Sequence, residues 1–290
     1  MKILIAVDSS GASTAAARQI AARPWPAGTI VQVMNVIEPM YGWRIPDVED
    51  ALQRSAEQTV QEAAGYFQQA GFETTTTVHH GDPKTVIVDQ ASESDADFVV
   101  IGSHSTSGVM QFVLGSVARA VSRLSTCSVE IVRAGPNPQP LRVLLATDGS
   151  ECSQAAAQSV AQRPWPPGAA FRILSVVEPS APLFRTPYFS PAVMEQLRGK
   201  DMERAQQAVS SAESVLFEAG LEASTTIAVP AATPKELILS EAAEWGAGLI
   251  VVGSHGRRGV SQLWLGSVSE AVALHANCSV EIIRRPHPPT

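Results

Sequence analysis

Glycine, serine and histidine residues follow a short apolar run near the carboxyl end of the chain. Gly253 and Gly256 enclose two residues, and nine residues then lead to the pair Gly266-Ser267. A glycine-rich turn between a strand and a helix can bind phosphate, because free backbone N–H groups at the helix start point at an anion. The alternative is an ordinary strand–loop–helix connection in which the glycines have no chemical role.

Two further positions could complete such a site. Asp148 follows the first apolar run of the second half, as Asp8 follows that of the first half. A carboxylate accepts hydrogen bonds from hydroxyl and amine donors. Gly102 and Gly253 end the fourth apolar run of their halves. If the first and fourth strands are neighbours, the acid and the glycine turn meet over one crevice.

The elements that must position these residues are duplicated. Matching segments recur in the same order: 7–10 with 147–150, 23–26 with 163–166, 102–104 with 253–255, and 114–117 with 265–268. An internal repeat of this kind indicates two copies of one fold. We therefore expect two domains, 1–134 and 141–286, joined by a proline-rich linker that neither continues a strand nor starts a helix.

Each half alternates apolar runs with segments of helical spacing. The last helix of each half is predicted at 113–124 and at 265–275. Such alternation is typical of an α/β fold, in which a doubly wound parallel sheet carries helices on both faces and right-handed crossovers join its strands. Ligands in these folds lie beyond the carboxyl ends of the strands.

Composition restricts the classes of function. Apolar residues make up 45% of the 290 residues and charged residues 17%, as in globular proteins. The net charge of -7 argues against a general affinity for nucleic acid or an anionic membrane, since both need clustered lysine and arginine. No apolar span is long enough to cross a membrane, and the start of the chain does not read as a signal peptide, so we expect a cytoplasmic protein.

Cysteine and histidine residues give no pattern of metal ligands. Cys127, Cys152 and Cys278 show neither CxxC pairing nor zinc spacing, so we expect buried free thiols. His79 and His80 are adjacent, but no third ligand follows at a useful spacing, which favours a solvated strand end. We therefore expect no protein metal site.

At this point the residues resemble the universal stress protein family in its tandem form. The glycine motif of that family is matched in full by Gly253, Gly256, Gly266 and Ser267. The first-strand acid, the Val-Glu-Pro end of the second strand at 177–179 and the closing Cys-x-Val-x-Ile runs also fit. The resemblance covers both halves of the chain.

The resemblance implies five strands per domain in the order 3-2-1-4-5, with ATP bound at the ends of the first and fourth strands. Its implied nucleotide-binding residues in the second domain are Asp148, Val176, Val252, Gly253, His255, Gly256, Gly266, Ser267, Val268 and Ser269. The equivalent positions in the first domain are Asp8, Val36, Ile101, Gly102, His104, Gly115, Ser116 and Val117. Mg²⁺ commonly accompanies a bound triphosphate.

The first half departs from the family motif at two positions. Ser105 stands where the second glycine is expected, and Ala118 replaces the hydroxyl residue that corresponds to Ser269. A β-carbon at Ser105 disfavours a positive φ and crowds a phosphate. We therefore predict a weaker or empty nucleotide site in the first half.

The function implied is that of an ATP-binding stress-response protein that acts as a regulatory or signalling module. No G-x-x-x-x-G-K-[ST] loop and no G-x-S-x-G elbow occurs, and no catalytic residue is identified. Two alternatives stay open: a weak ATP hydrolase, and a duplicated scaffold that binds no ligand.

The duplication also predicts assembly. Family members resemble dimers that join through their last strands, so segments 128–133 and 279–284 are expected to pair within one chain as a pseudo-dimer, since unpaired strand edges invite such pairing. A further homodimer of two chains is expected to follow.

Overall fold

The computed structural model describes residues 1–39, 46–103, 114–133, 140–179, 190–229, 232–257 and 265–285. In the first half the elements are β1 (Lys2–Ala6), α1 (Gly11–Ala21), β2 (Ile30–Ile37), α2 (Pro46–Gln69), β3 (Glu73–His80), α3 (Pro83–Glu93), β4 (Phe98–Gly102), α4 (Ser116–Leu124) and β5 (Ser128–Val132). In the second half they are β6 (Arg142–Ala146), α5 (Glu151–Ala161), β7 (Ala170–Val176), α6 (Pro191–Glu218), β8 (Ala223–Ala228), α7 (Pro234–Trp245), β9 (Leu249–Gly253), α8 (Ser267–His275) and β10 (Ser279–Ile283).

All ten strands form one sheet in the order β3-β2-β1-β4-β5-β10-β9-β6-β7-β8. Each half therefore has the predicted order 3-2-1-4-5, and its strands are parallel. The two halves meet where β5 and β10 pair antiparallel, with Glu130 opposite Glu281. The α/β fold class and the strand order predicted from the sequence are confirmed.

The sheet is buried on both faces, which explains the nearly continuous apolar runs of its central strands. Successive residues of β1 point to opposite faces, so Ile3 and Ile5 join one core cluster while Leu4 joins the other. Helices α1, α2, α5 and α6 cover the first cluster, and α3, α4, α7 and α8 cover the second. Each cluster includes residues of both halves, so the core is continuous across the pairing of β5 with β10.

Two predicted helices begin later than their apolar spacing indicated. Helix α4 starts at Ser116 and α8 at Ser267, because Gly115 and Gly266 before them have extended backbone conformations, with ψ of 152° and 150°. These glycines occupy the N-cap positions. The shift brings the serine of each Gly-Ser pair into the first helical position.

Buried ion pairs lie beneath the pairing of β5 with β10. Arg163 donates two hydrogen bonds to the Glu281 carboxylate, at 3.0 and 2.5 Å. Arg23 pairs with Glu130 and also reaches Glu281 at 3.4 Å. The repeated Arg-Pro-Trp-Pro segments therefore supply cations for two carboxylates that the antiparallel register places side by side.

Within the described ranges, no helix is both long and apolar enough to span a membrane. All three cysteines are free, and each is half-buried, which is less than the full burial that the sequence predicted. Burial raises the pKa of Cys127 and of Cys278 to about 11, so both are protonated thiols at neutral pH.

Candidate functional site

The carboxyl ends of β6 and β9 form the crevice in the second half. The two strands are neighbours in the sheet, so Asp148, after β6, and Gly253, at the end of β9, lie at the same edge. Val176 ends the adjacent strand β7 and is half-buried, whereas Val252 is buried within β9. The strand order thus brings the predicted residues of strands one, two and four to a single edge.

Gly253 allows β9 to pack against the start of α5. A β-carbon on this glycine would lie 2.7 Å from the carbonyl carbon of Cys152 and 2.8 Å from the amide nitrogen of Ser153. Real β-carbons do not come so close to backbone atoms, so only glycine fits without a shift. Its role in the motif is to let the turn pass over the neighbouring helix.

Gly256 lies against the carboxylate of Asp148. Its φ is not in the left-handed region, so strain from a positive φ is not the reason for a glycine here. A β-carbon would instead lie 2.8 Å from Oδ2 of Asp148. Ser105, the equivalent residue in the first half, lies outside the described residues, so the expectation about it stays a prediction.

The turn closes on the helix through Ser254. The Gly266 N–H donates to the carbonyl oxygen of Ser254 at 2.8 Å. The hydroxyl of Ser269 donates to the same oxygen at 2.8 Å and is buried. Ser269, a predicted site residue, thus fastens the first turn of α8 to the glycine turn.

The first turn of α8 has no side-chain cap. Its N-cap is Gly266, and the N-cap of the equivalent helix α4 is Gly115; neither has a side chain that could accept an N–H. By contrast, the side chains at the N-caps of α1, α3, α5 and α6 accept backbone N–H groups. Among the described residues no side chain accepts the amides of Ser267 and Val268, so they are available to an anion, which the partial positive charge of a helix start also favours.

Asp148 joins the first strand to the glycine turn. Its Oδ1 accepts the amide of Ser150 at 3.0 Å, and its Oδ2 accepts the amide of Arg257 at 3.0 Å. The hydroxyl of Ser150 donates to the carbonyl oxygen of His255 at 3.2 Å. Ser150 caps α5 and was not among the predicted site residues, although its place in the repeated Asp-x-Ser segment is a signal that could have identified it.

His255 points its Nδ1 toward the hydroxyl of Ser254, at 3.1 Å. Its Nε2 is buried and has no hydrogen-bond partner among the described residues. Burial, together with the nearby charge of Arg284, lowers the pKa of His255. The imidazole is therefore neutral at pH 7, and one of its ring nitrogens lacks a partner.

The charged side chain of Arg257 reaches the end of the second strand. Its Nη2 lies 3.7 Å from Oε2 of Glu178. Glu178 belongs to the Val-Glu-Pro segment that follows β7. The turn is thus linked to both β6 and β7. The sequence marked Glu178 as part of a family motif but not as the partner of Arg257, which lies far along the chain.

The first half has a cavity of about 580 Å³ at the equivalent crevice. Seven of the eight residues predicted for this half line it: Asp8, Val36, Ile101, Gly102, Gly115, Ser116 and Val117. The eighth, His104, lies outside the described residues. This volume is within the range of small-molecule sites in proteins.

Asp8 is bound differently from Asp148. Its Oδ1 accepts three donors: the Ser10 amide at 3.0 Å, the Ser10 hydroxyl at 2.5 Å and the Ser13 hydroxyl at 2.6 Å. The corresponding hydroxyls of the second half go to the backbone oxygens of His255 and Ser150 instead. The carboxylate in the first half is therefore held by its own helix start.

The described part of the chain contains no group of three His, Cys, Asp or Glu residues that could hold a metal ion. Of the histidine pair on β3, His80 places its Nε2 3.1 Å from the Oε1 of Gln53. The Nε2 of His79 is buried with no partner among the residues described.

Curated relatives of this chain share part of its sequence. A universal stress protein of Mycobacterium tuberculosis (strain H37Rv) is 29% identical over 200 residues, which cover 66% of this chain and 63% of that protein. The chain thus spans less than two thirds of the length of this relative.

A solved structure that covers nearly the whole chain shares the fold. The crystal structure of a universal stress protein from Archaeoglobus fulgidus covers 99% of this chain and 97% of its own at a TM-score of 0.69, with 23% identity. Another universal stress protein of that organism, solved in complex with dAMP, is 22% identical and covers 50% of this chain and 98% of its own, at a TM-score of 0.36.

The model of the universal stress protein family matches residues 1–133 and 141–284, nearly the whole of both halves. The chain belongs to the universal stress protein family, with two copies of its domain in tandem.

Proposed function

We propose that this protein binds an adenine nucleotide, ATP, in the crevice of its second half and acts as a regulatory module in the stress response. The observation that carries the proposal is the uncapped start of α8 beside a glycine turn. Backbone amides of Ser267, Val268 and Ser269 lie in the first turn of that helix, where phosphate oxygens are bound most favourably.

The rest of the crevice fits the other parts of a nucleotide. Asp148 is half-buried and accepts only backbone amides among the described residues, so its carboxylate has lone pairs left for ribose hydroxyls. Val176, half-buried at the end of β7, would face the adenine ring through its main chain, and Val252 at the end of β9 leads into the phosphate turn. Gly253, Gly256 and Gly266 let the turn pack closely on α5, on Asp148 and on Ser254, respectively, and His255 contributes its backbone to the turn.

Binding without turnover is the function that these groups favour. The groups that face the phosphate position are backbone amides, which stabilise negative charge but move no proton. Mg²⁺ would bind with the nucleotide, because the described residues offer no ligand cluster of their own. Bound ATP supplies the signal by stabilising the turn and the helix start together.

We propose a weaker site in the first half. The cavity there is large enough, but Asp8 already accepts three donors from its own helix start. Ala118 replaces Ser269, so the hydroxyl bond that fastens helix to turn is missing, although the Gly115 amide still donates to Ser103 at 2.8 Å. The first difference leaves the Asp8 carboxylate less able to accept ribose hydroxyls, and the second leaves the start of α4 less firmly fastened to its turn.

The proposal extends to organisation. We propose domains at 1–134 and 141–286 that act as a pseudo-dimer through the β5–β10 pairing, with two chains associating further in the cytoplasm. The net charge of -7 argues against nucleic acid as a partner. Size-exclusion chromatography with light scattering should give the mass of two chains.

The test begins with protein purified without added ligand. Denaturation followed by mass spectrometry should release an intact adenine nucleotide, and ATP with Mg²⁺ should raise the unfolding temperature. The shift should be lost in Gly266→Val and largely kept in Gly115→Val, its matched control in the first half. Repeated turnover of ATP by the wild type would favour a hydrolase. Absence of any nucleotide effect at millimolar concentration would favour a scaffold without ligand and end the proposal.

A further inference from the structure

Helices α4 and α8 end in the same unusual way. The residues at their C-caps, Ser125 and Ala276, have extended conformations, with ψ of 141° and 144°. Neither helix has the left-handed glycine that closes α7, where Gly246 has a φ of 69°. A left-handed residue at a helix end lets following amides bond to the last carbonyls, so the final carbonyl groups of α4 and α8 need donors from elsewhere.

The donors come from the opposite half of the chain. Nη2 of Arg133 donates to the carbonyl oxygens of Ala273 and Leu274, at 2.9 and 3.1 Å, in the last turn of α8. In the reciprocal contact, Nη2 of Arg284 donates to the carbonyl oxygens of Ser122 and Arg123, at 3.0 and 3.2 Å, in the last turn of α4. Arg133 directly follows β5, and Arg284 directly follows β10.

Both arginines are fixed by the pairing of the last strands. The amide of Arg133 donates to the hydroxyl of Ser279 at 3.2 Å, and the amide of Arg284 donates to that of Ser128 at 3.1 Å. Arg133 is 7% exposed and Arg284 is 8% exposed, so the two guanidinium groups contact the helix ends in a largely water-free environment. A cation at a helix C-terminus has its strongest effect when it is partly buried.

We propose that Arg133 is a positioning residue for the nucleotide site of the second half, and that Arg284 has the same role for the first half. This inference rests on the proposed function, because it concerns the affinity of that site. Each helix that offers its open start to phosphate is held at its other end by a guanidinium of the opposite half. Each site therefore depends on an arginine of the opposite half, placed by the β5–β10 pairing.

The helices are short enough for a contact at one end to affect the position of the amides at the other end. A helix of nine residues is about 13 Å long and moves as one rod. The two rods also contact each other, since Arg119 of α4 lies 3.0 Å from the Glu270 carboxylate of α8. Loss of the arginine frees the end of the rod and shifts the amides at its start. We expect the ATP affinity to fall by roughly three- to tenfold, which corresponds to the stabilisation that a cation provides at a helix C-terminus.

Calorimetric titration of ATP into the full chain tests the role of Arg133. The Gly115→Val background removes the first-half site, so that one affinity is measured. We expect Arg133→Met to weaken binding by roughly three- to tenfold and Arg133→Lys, which keeps the charge but not the fork of donors, to recover part of the loss. The Lys variant also serves if the Met variant does not fold.

Arg163→Met is the control for general destabilisation. It breaks the buried pair with Glu281 at the same interface, and the hydrogen bonds of Arg163 to described residues go to Glu281 and Ser159 rather than to α8 or the glycine turn. It should lower the unfolding temperature and leave the ATP affinity of the folded protein unchanged. Equal losses of affinity in Arg163→Met and Arg133→Met would show a merely structural effect and overturn the inference.

Hydrogen exchange without ligand gives a readout that does not depend on ATP. Arg133→Met should speed exchange in the last turn of α8 more than in α4, and Arg284→Met should do the reverse. If exchange in α8 rises while ATP affinity stays at the wild-type value, the positioning role is refuted and the proposed function stands. If the wild type binds no ATP, the proposed function fails and the positioning role fails with it.

Discussion

The glycine at the end of β9 offers a sharp test of the packing on which the site depends. In Gly253→Ala the new β-carbon would lie 2.7 Å from the carbonyl carbon of Cys152, 2.8 Å from the nitrogen of Ser153 and 2.9 Å from Cβ of Cys152. Two of these atoms belong to the backbone at the start of α5, which cannot rotate away. Overpacking of this kind typically costs about 1 to 3 kcal/mol of folding free energy.

The first half provides a matched control. A β-carbon on Gly102, at the equivalent end of β4, would lie 3.4 Å from both the carbonyl carbon of Ala12 and the nitrogen of Ser13, which is ordinary contact. Neither glycine has a left-handed φ, so both substitutions reduce the entropy of the unfolded chain by the same amount, worth about 0.4 to 1 kcal/mol. The difference between the two variants therefore measures the overpacking alone.

Urea unfolding followed by circular dichroism measures this difference. We expect Gly102→Ala to match or slightly exceed the wild type in free energy of unfolding, and Gly253→Ala to fall about 1 to 3 kcal/mol below Gly102→Ala. The m-values should agree, which makes the midpoints comparable. Equal stability of the two variants would refute the argument, because it would mean that α5 yields to a β-carbon at no cost.

Three other outcomes are expected. Burial raises the pKa of Glu130 to about 7, so the folded state binds this proton more tightly than the unfolded chain. The stability that this proton contributes is complete at acidic pH and is lost as the pH rises through about 7. Urea unfolding between pH 5 and 8 should show this fall in the free energy of unfolding for the wild type but not for Glu130→Gln. Gly256→Ala should displace the Asp148 carboxylate, which would lie 2.8 Å from the new methyl group. Because that group is a side chain, calorimetry should show weaker ATP binding while the unfolding temperature changes little; unchanged affinity would contradict this role of the glycine. Arg163→Met leaves the buried Glu281 carboxylate without the two hydrogen bonds from Arg163. Chemical denaturation should show a free energy of unfolding about 3 to 5 kcal/mol below that of the wild type. A loss of less than about 1 kcal/mol would contradict this expectation.

The sequence alone was sufficient for the architecture. The repeated segments and the alternation of apolar runs with helical spacing predicted two copies of a parallel α/β fold, and the strand order that the resemblance implied is confirmed. These features are local or periodic, so each can be recognised from the residue types of one short segment. The nearness of Asp148 to Gly253 followed in turn, because strand order decides which strand ends are neighbours.

The reasons behind the site residues needed the tertiary structure. The sequence placed Gly256 in the glycine turn, but only the structure shows that a β-carbon at this position would lie 2.8 Å from Oδ2 of Asp148. Nor does any pattern link Arg133 to the end of α8, since this contact exists only after β5 has paired with β10. Periodicity predicts which face of a helix or strand is buried. The hydrogen-bond partner of a polar group in a distant segment depends on how the segments pack, and no local pattern predicts that packing.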